Sequence, residues 1–251
     1  MSKLTFASAF DFSTKVVIVT GAATGIGRAT AELFAERGAK LALLDRDPQV
    51  ETVAEQLGGK AWMVDIRHAG QIRDVATAIA THFGRIDVLI NNAGIAITGP
   101  AEELSVEAWD ATMEINLRGQ FLLAQSVVPH MFENGWGRVV TLSSQAALIG
   151  IEGHTAYSAS KAAVIGMSQC LALEWGPRGV TSNTISPTVV ETEMGQKGWA
   201  GDVGLRARAQ IPTRRFARPE EIGLAALFLA SDAAAMINGA NLVVDGGYTI
   251  Q

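Results

Sequence analysis

Seven short runs rich in β-branched and apolar residues recur along the chain, and this recurrence limits the fold more than any other feature. They are Val16 to Thr20, Lys40 to Asp45, Ala61 to Asp65, Val88 to Asn91, Arg138 to Ser143, Val180 to Ser186 and Leu242 to Val244. Between them lie longer stretches with helical spacing: Ile26 to Arg37, Ile72 to Phe83, Trp109 to Phe132, Tyr157 to Trp175 and Pro219 to Ala230. Each is long enough to cross back over a sheet, so the alternation implies parallel strands with helices on both faces. Val16, Val17, Ile18 and Val19 are all apolar, which suits a strand buried on both sides. With 251 residues, 48% of them hydrophobic, the chain can enclose this core as a single domain, 1–251.

The first run leads directly into Thr20-Gly21-Ala22-Ala23-Thr24-Gly25-Ile26-Gly27 and then a helix. Glycines there let a backbone turn tightly and approach a pyrophosphate, while the helix N-terminus supplies N–H groups and positive dipole. Gly21, Thr24, Gly25, Ile26 and Gly27 are therefore candidate phosphate-binding residues. A glycine trio alone also fits an empty tight turn. The strand before, the helix after and an acidic residue ending the second strand favour a dinucleotide. That residue is Asp45, placed to accept hydrogen bonds from adenosine ribose hydroxyls and to repel a 2′-phosphate, so NAD is expected rather than NADP. Arg46 reads as a solvated surface charge. Asp65 with Ile66 ends the third run, where the pair can hold adenine or the carboxylate can simply cap a helix. The expected fold is Rossmann-like α/β, a doubly wound, seven-stranded parallel sheet with helices on both faces.

Tyr157 and Lys161 lie four apart on one helical face, and Ser143 and Ser144 end the fifth run, at the sheet edge where this architecture binds ligands. With Asn91-Asn92-Ala93-Gly94, Asn116, Tyr157-Ser158-Ala159-Ser160-Lys161 and Asp245-Gly246-Gly247, these residues resemble the short-chain dehydrogenase/reductase family from about Phe12 to the end. The resemblance implies an NAD-dependent oxidoreductase. Tyr157 would be the acid/base and Ser144 the donor to the developing alkoxide. Lys161 would bind the nicotinamide ribose and join a proton relay through a water near Asn116. A phenol ordinarily titrates near 10. Moving it by about 3 units takes roughly 4 kcal/mol, which Lys161 and an oxidised nicotinamide can together supply. Asn92 and Gly94 are expected at the cofactor, and Ser143 is expected to be structural. Pro187, Val190 and Thr192 are expected at the carboxamide. Thr188 departs from the family's usual glycine, and a β-branched residue does not take a positive φ cheaply.

The substrate is read from Gln145, Glu152, His154 and Trp199, three of them polar. A satisfied loop residue is the competing reading for each. Ser144-Gln145-Ala146, His154, Ile185-Ser186-Pro187-Thr188, Lys197-Gly198-Trp199-Ala200-Gly201 and Asp245-Gly246-Gly247-Tyr248-Thr249-Ile250 are similar to the bacterial polyol dehydrogenases acting on D-arabitol or D-threitol. The implied partner is therefore a four- or five-carbon sugar alcohol or its ketose, with Ser144, Gln145, His154, Tyr157 and Trp199 around it. Three alternatives compete. A 3-oxoacyl reductase usually uses NADPH, against which Asp45 argues. A secondary-alcohol or steroid dehydrogenase would want a more apolar lid than Gln196, Lys197, Asp202 and Arg206 make. A nucleotide-sensing relative without activity would be expected to lose Tyr157 or Lys161.

With 20 Lys+Arg against 25 Asp+Glu and no basic block, nucleic acid is not an expected partner. No apolar run reaches the roughly 18 residues of a membrane span, and Met1 to Lys15 lacks a secretory pattern, so neither membrane nor export is expected. A cytoplasmic setting follows. The single Cys170, beside Met167, Leu171 and Leu173, reads as a buried small hydrophobe. His68, His82, His130 and His154 are scattered, so no metal is expected. Residues 1–14 read as a polar leader and about 189–218, with little periodicity, as a mobile substrate lid. The hydrophobicity of Trp109 to Phe132, Tyr157 to Trp175 and Leu242 to Gln251 exceeds what the sheet can cover. Relatives are usually tetramers, and a homotetramer is expected.

Overall fold

The computed structural model describes residues 5–193, 195, 199 and 201–251. Seven strands form one parallel sheet: β1 (Val16–Thr20), β2 (Lys40–Asp45), β3 (Lys60–Met63), β4 (Val88–Asn91), β5 (Gly137–Leu142), β6 (Val180–Pro187) and β7 (Asn241–Val244). Their spatial order is β3-β2-β1-β4-β5-β6-β7, so the direction of winding reverses between β1 and β4. Each expected strand is present within two residues of its expected bounds at either end.

The apolar runs work as two-faced strands. Val17, Val19, Leu41, Leu43, Val88 and Ile90 pack into one core, with α2 (Gly25–Glu36), α3 (Gln49–Leu57) and α9 (Pro219–Ala230). Val16, Ile18, Ala42, Leu44 and Leu89 pack into the other, with α4 (Ala69–Phe83), α6 (Gln120–Asn134) and α7 (Thr155–Trp175). Alternate side chains of one strand point to opposite faces, so a continuous apolar run fills both layers at once.

Four features differ from the sequence expectation. The stretch expected as one helix, Trp109 to Phe132, is divided into α5 (Val106–Met113), a π-helical turn (Glu114–Gly119) and α6. Helix α3 was not expected, because only Val50, Val53 and Ala54 mark its buried face. Residues 5–14 carry a short helix, α1 (Phe6–Ala9), and send Phe12 into the core, edge-on to Phe34 at 4.9 Å. Cys170 is exposed rather than buried. The buried line of α7 runs through Val164, Ser168, Leu171, Ala172 and Trp175, and Cys170 falls outside it.

Within the segment expected to be irregular, α8 (Gly201–Gln210) forms, and Ala207, Ile211 and Phe216 make a small core of their own with Val189, Trp199 and Tyr248. Gln196, Lys197 and Gly198 lie outside the described residues. No described helix is long and apolar enough to cross a membrane.

Candidate active site

A cleft of about 860 Å³ runs along the carboxyl ends of β1, β2, β4, β5 and β6, at the reversal point of the winding. At its floor, Gly21 (φ +65°) and Gly25 (φ +56°) take backbone conformations that a side chain would strain. Thr24 precedes α2 without forming a side-chain cap. The first turn, around Gly25 and Ile26, stands at the cleft, where its N–H groups and positive helix end suit an anion. Gly27 does not line the cleft. A Cβ there would lie 2.0 Å from the Gly21 carbonyl oxygen, so its role is close packing of helix on turn rather than contact with a ligand.

The turn is held from the neighbouring strand. Asn92 Nδ2 donates to the carbonyls of Thr20 (2.8 Å) and Gly21 (3.2 Å), while Thr20 Oγ1 accepts from the N–H groups of Asn92 and Ala93. Sequence reasoning assigned Asn92 to the cofactor and gave Thr20 no role. The two residues together lock the end of β1 to the segment after β4. Asp45, at the rim, accepts from the N–H of Ala23 (3.0 Å) and that of Asp47 (3.0 Å), which aims its carboxylate along the cleft wall. Asp65 and Ile66 also line the cleft, and Arg67 grips Asp65 through Nε at 2.9 Å. That contact holds the Asp65 carboxyl below its usual range. Arg67 carried no signal beyond its position two residues on.

Deeper in, β5 and α7 bring the expected catalytic residues together. Ser143 Oγ donates to the Lys161 carbonyl at 2.7 Å, fastening helix to strand as expected. Lys161 Nζ, nearly enclosed, donates to the Leu142 carbonyl at 2.7 Å, and burial lowers its pKa to about 8. Burial acts on Tyr157 in the opposite direction, raising the phenol, and a hydrogen bond with Ser144 partly offsets this. Burial thus moves both groups toward their neutral forms, and positive charge beside the phenol would draw it back down. Gly94 closes the same corner, where a Cβ would stand 3.2 Å from Asn116 Oδ1 and 3.4 Å from Lys161 Nζ.

Asn116 occupies the π-helical turn, fully buried. Its Oδ1 accepts from Ile95 N–H (2.8 Å), and its Nδ2 donates to the Ile95 carbonyl (2.9 Å) and to Ser160 Oγ (3.0 Å). Both amide hydrogens are committed, so the side chain braces the site and has no donor left for a water. Ser160, unassigned from sequence, links that brace to the Tyr157 carbonyl at 2.7 Å.

Ser144, Gln145, His154, Tyr157 and Trp199 all line the cleft, as do Pro187, Thr188, Val190 and Thr192. Glu152 is exposed and does not; its carbonyl instead bonds His154 Nδ1 at 2.8 Å. Thr188 does not adopt a positive φ, so threonine replaces glycine there without backbone strain. The described residues contain no cluster of three or more metal-ligating side chains.

The uncapped helix start, the carboxylate at the end of β2 and a serine, tyrosine and lysine beside the cleft floor together fit a nicotinamide dinucleotide and a small alcohol. A family profile described as enoyl-(acyl carrier protein) reductase matches residues 21–249. The chain is 52% identical over 250 residues to D-threitol dehydrogenase of Mycolicibacterium smegmatis, with 96% of each chain covered. It is 49% identical over 245 residues to NAD-dependent glycerol dehydrogenase of Listeria innocua, again with 96% of each covered. A crystal structure from Beutenbergia cavernae, assigned as an NAD(P)-dependent gluconate 5-dehydrogenase and holding NADP at low occupancy, superposes with TM-score 0.93 at 37% identity, covering 97% of this chain and 100% of that one. On this agreement of motif, fold and relatives, the chain belongs to the short-chain dehydrogenase/reductase family and is an oxidoreductase acting on CH–OH groups.

Proposed function

We propose that this enzyme oxidises a four- or five-carbon sugar alcohol, D-threitol or D-arabitol, to its ketose with NAD. The observation that carries the reading is the convergence of Ser144, Tyr157 and buried Lys161 on a cleft whose substrate end also presents Gln145 and His154. The relatives named for D-threitol and for glycerol support the polyol class.

Oxidised nicotinamide, when bound, supplies the hydride acceptor and a positive charge. Tyr157 takes the proton of the substrate hydroxyl as the carbinol carbon loses its hydride, and Ser144 donates to the developing alkoxide. Lys161 remains protonated near neutral pH, since its pKa of about 8 lies above it, and its ammonium favours the tyrosinate. The first turn of α2 receives the pyrophosphate and Asp45 the adenosine ribose hydroxyls, while Asp65 and Ile66 border the adenine. Pro187, Val190 and Thr192 border the carboxamide, and the segment carrying α8 serves as the substrate lid. The carboxylate of Asp45 supports NAD over NADP by charge repulsion of a 2′-phosphate.

Leu173, Met236 and Ile250 are exposed apolar residues, which a homotetramer would bury between copies. The exposed thiol of Cys170 suits a reducing cytoplasmic setting.

The test is initial-rate dinucleotide reduction with D-threitol, D-arabitol, xylitol, galactitol, glycerol and butan-2-ol, each with NAD and NADP. Turnover of a four- or five-carbon polyol with NAD, and a shift toward NADP in Asp45→Ser, are expected. Silence on every polyol beside NADPH-dependent reduction of a 3-oxoacyl thioester would overturn both the substrate and the cofactor.

A further inference from the structure

Helix α8 packs outside the two layers that flank the sheet. Ala207, Ile211 and Phe216 form a small core of their own, joined by Val189, Trp199 and Tyr248. Val189 and Trp199 line the cleft, whereas Tyr248 does not. A helix this short, with so little buried apolar surface, is held in place by what it docks against rather than by its own hydrogen bonds.

The C-terminal turn supplies that dock. Asp245, only 6% exposed, organises it: the carboxylate accepts from the N–H groups of Gly247 and Thr249 at 2.8 Å each and from Thr249 Oγ1 at 2.7 Å. The chain leaving α8 then meets the turn at close range. Thr213 N–H donates to the Gly246 carbonyl at 3.3 Å. A Cβ on Gly246 would overlap Thr213 Oγ1 and stand 2.8 Å from Ile211 Cγ2, and one on Gly247 would stand 3.1 Å from Pro212 Cγ. Tyr248 lays its ring on the small core, and its hydroxyl donates to Oε1 of Gln210, the last residue of α8, at 3.3 Å. The segment entering the lid is fastened to the same strand end, since Thr188 N–H donates to the carbonyl of Val244, which closes β7, at 3.1 Å. β7 in turn pairs with β6 up to Pro187 opposite Val244, so the dock is fixed to the sheet.

We infer that the C-terminal turn positions the lid, and that Tyr248 is a positioning residue for the alcohol substrate, acting through the small core on Trp199. Losing the Tyr248 ring removes one wall of that core and frees α8 and Trp199 to leave the substrate end of the cleft, while the phosphate turn and the catalytic residues, which belong to other elements, stay as they are. The inference rests on the reading of this segment as the substrate lid.

The test is steady-state kinetics on the wild type, Tyr248→Ala, Tyr248→Phe and Trp199→Ala, with D-threitol or, where the wild type ignores polyols, with the alcohol it does oxidise. Tyr248→Ala is expected to raise KM for the alcohol about tenfold without lowering kcat, with KM for NAD within about twofold, and Tyr248→Phe, which keeps the ring, to restore most of the loss. Trypsin is expected to cut after Arg206 and Arg208, both on α8, about tenfold faster in Tyr248→Ala than in the wild type. Should Tyr248→Ala not fold, Gln210→Ala, which removes only the partner of the hydroxyl, is expected to move both readouts in the same direction by about threefold. An unchanged KM for the alcohol in Tyr248→Ala, beside a raised one in Trp199→Ala, would leave the lid standing and overturn the role of Tyr248. No change in either variant would overturn the lid reading and the inference with it. Equal rises in KM for the alcohol and for NAD, with a lowered melting temperature, would make Tyr248 a general structural residue and overturn the inference.

Discussion

Asn116 Nδ2 donates to Ser160 Oγ at 3.0 Å, and this bond joins the π-helical turn to the helix that carries Tyr157 and Lys161. Ser160 is fully buried, and its hydroxyl passes the connection on to the Tyr157 carbonyl. Ser160→Ala leaves a buried amide hydrogen of Asn116 unpaired, at a cost of about 1–3 kcal/mol in stability. Because the loosened turn is the one that orients the acid/base, kcat is expected to fall about tenfold with KM little changed, a loss near 1.4 kcal/mol. Denaturant melts and steady-state kinetics on the same variant check it. A stability loss with kcat intact would reduce the bond to a structural one.

Gly27→Ala tests the phosphate turn. The added Cβ meets backbone, 2.0 Å from the Gly21 oxygen and 2.7 Å from its carbon, so no side chain can move to relieve it. The turn must shift, costing about 1–3 kcal/mol in stability. Dinucleotide affinity is expected to fall by about tenfold or more, read from fluorescence titration with NADH. Unchanged affinity would mean that the position of the turn is immaterial to binding.

Lys161 is expected to weaken the fold for the sake of the site. Its pKa of about 8, against 10.5 ordinarily, means that the folded protein holds the proton less tightly than the unfolded chain. Stability then rises as pH climbs from about 8 toward 10.5, and the full cost, on the order of 3 kcal/mol before the bond to Leu142 is counted, applies below 8. Lys161→Met is expected to be inactive and more stable than the wild type at pH 7, with the difference closing by pH 10. Urea unfolding at the two pH values checks it, and a variant less stable at pH 7 would contradict it.

Glu221 acts with the opposite sign. Two bonds from Arg215 and one from the Arg218 N–H hold its carboxyl at about 2, below the usual 4.5, where it also caps the start of α9. The stabilisation is present above pH 4.5 and is lost as pH falls through about 2. The pair is partly exposed, so Glu221→Ala is expected to cost only about 1 kcal/mol at pH 7, mostly from the cap, with the gap narrowing by pH 2.5. Thermal melts at both pH values check it.

What the sequence by itself determined is whatever repeats locally. Val16 to Val19 dictated a strand buried on both faces, and the glycine-bearing turn after it required a helix start facing a ligand. The four-residue spacing of Tyr157 and Lys161 put them on one helical face. These depend on φ/ψ preference and side-chain period within one or two elements, which a linear reading contains. Only the tertiary structure decided the rest, because it concerns which distant groups meet. The π-helical turn that seats Asn116 is invisible to a periodicity that runs unbroken from Trp109 to Phe132. Cys170 differs from Leu171 by a rotation of α7 that its neighbours set. Thr188 looked out of place until its φ proved unstrained, so that threonine stands there without a backbone penalty. Hydrogen bonding of buried groups is a balance taken over the whole fold, and the sequence carries the groups but not their partners.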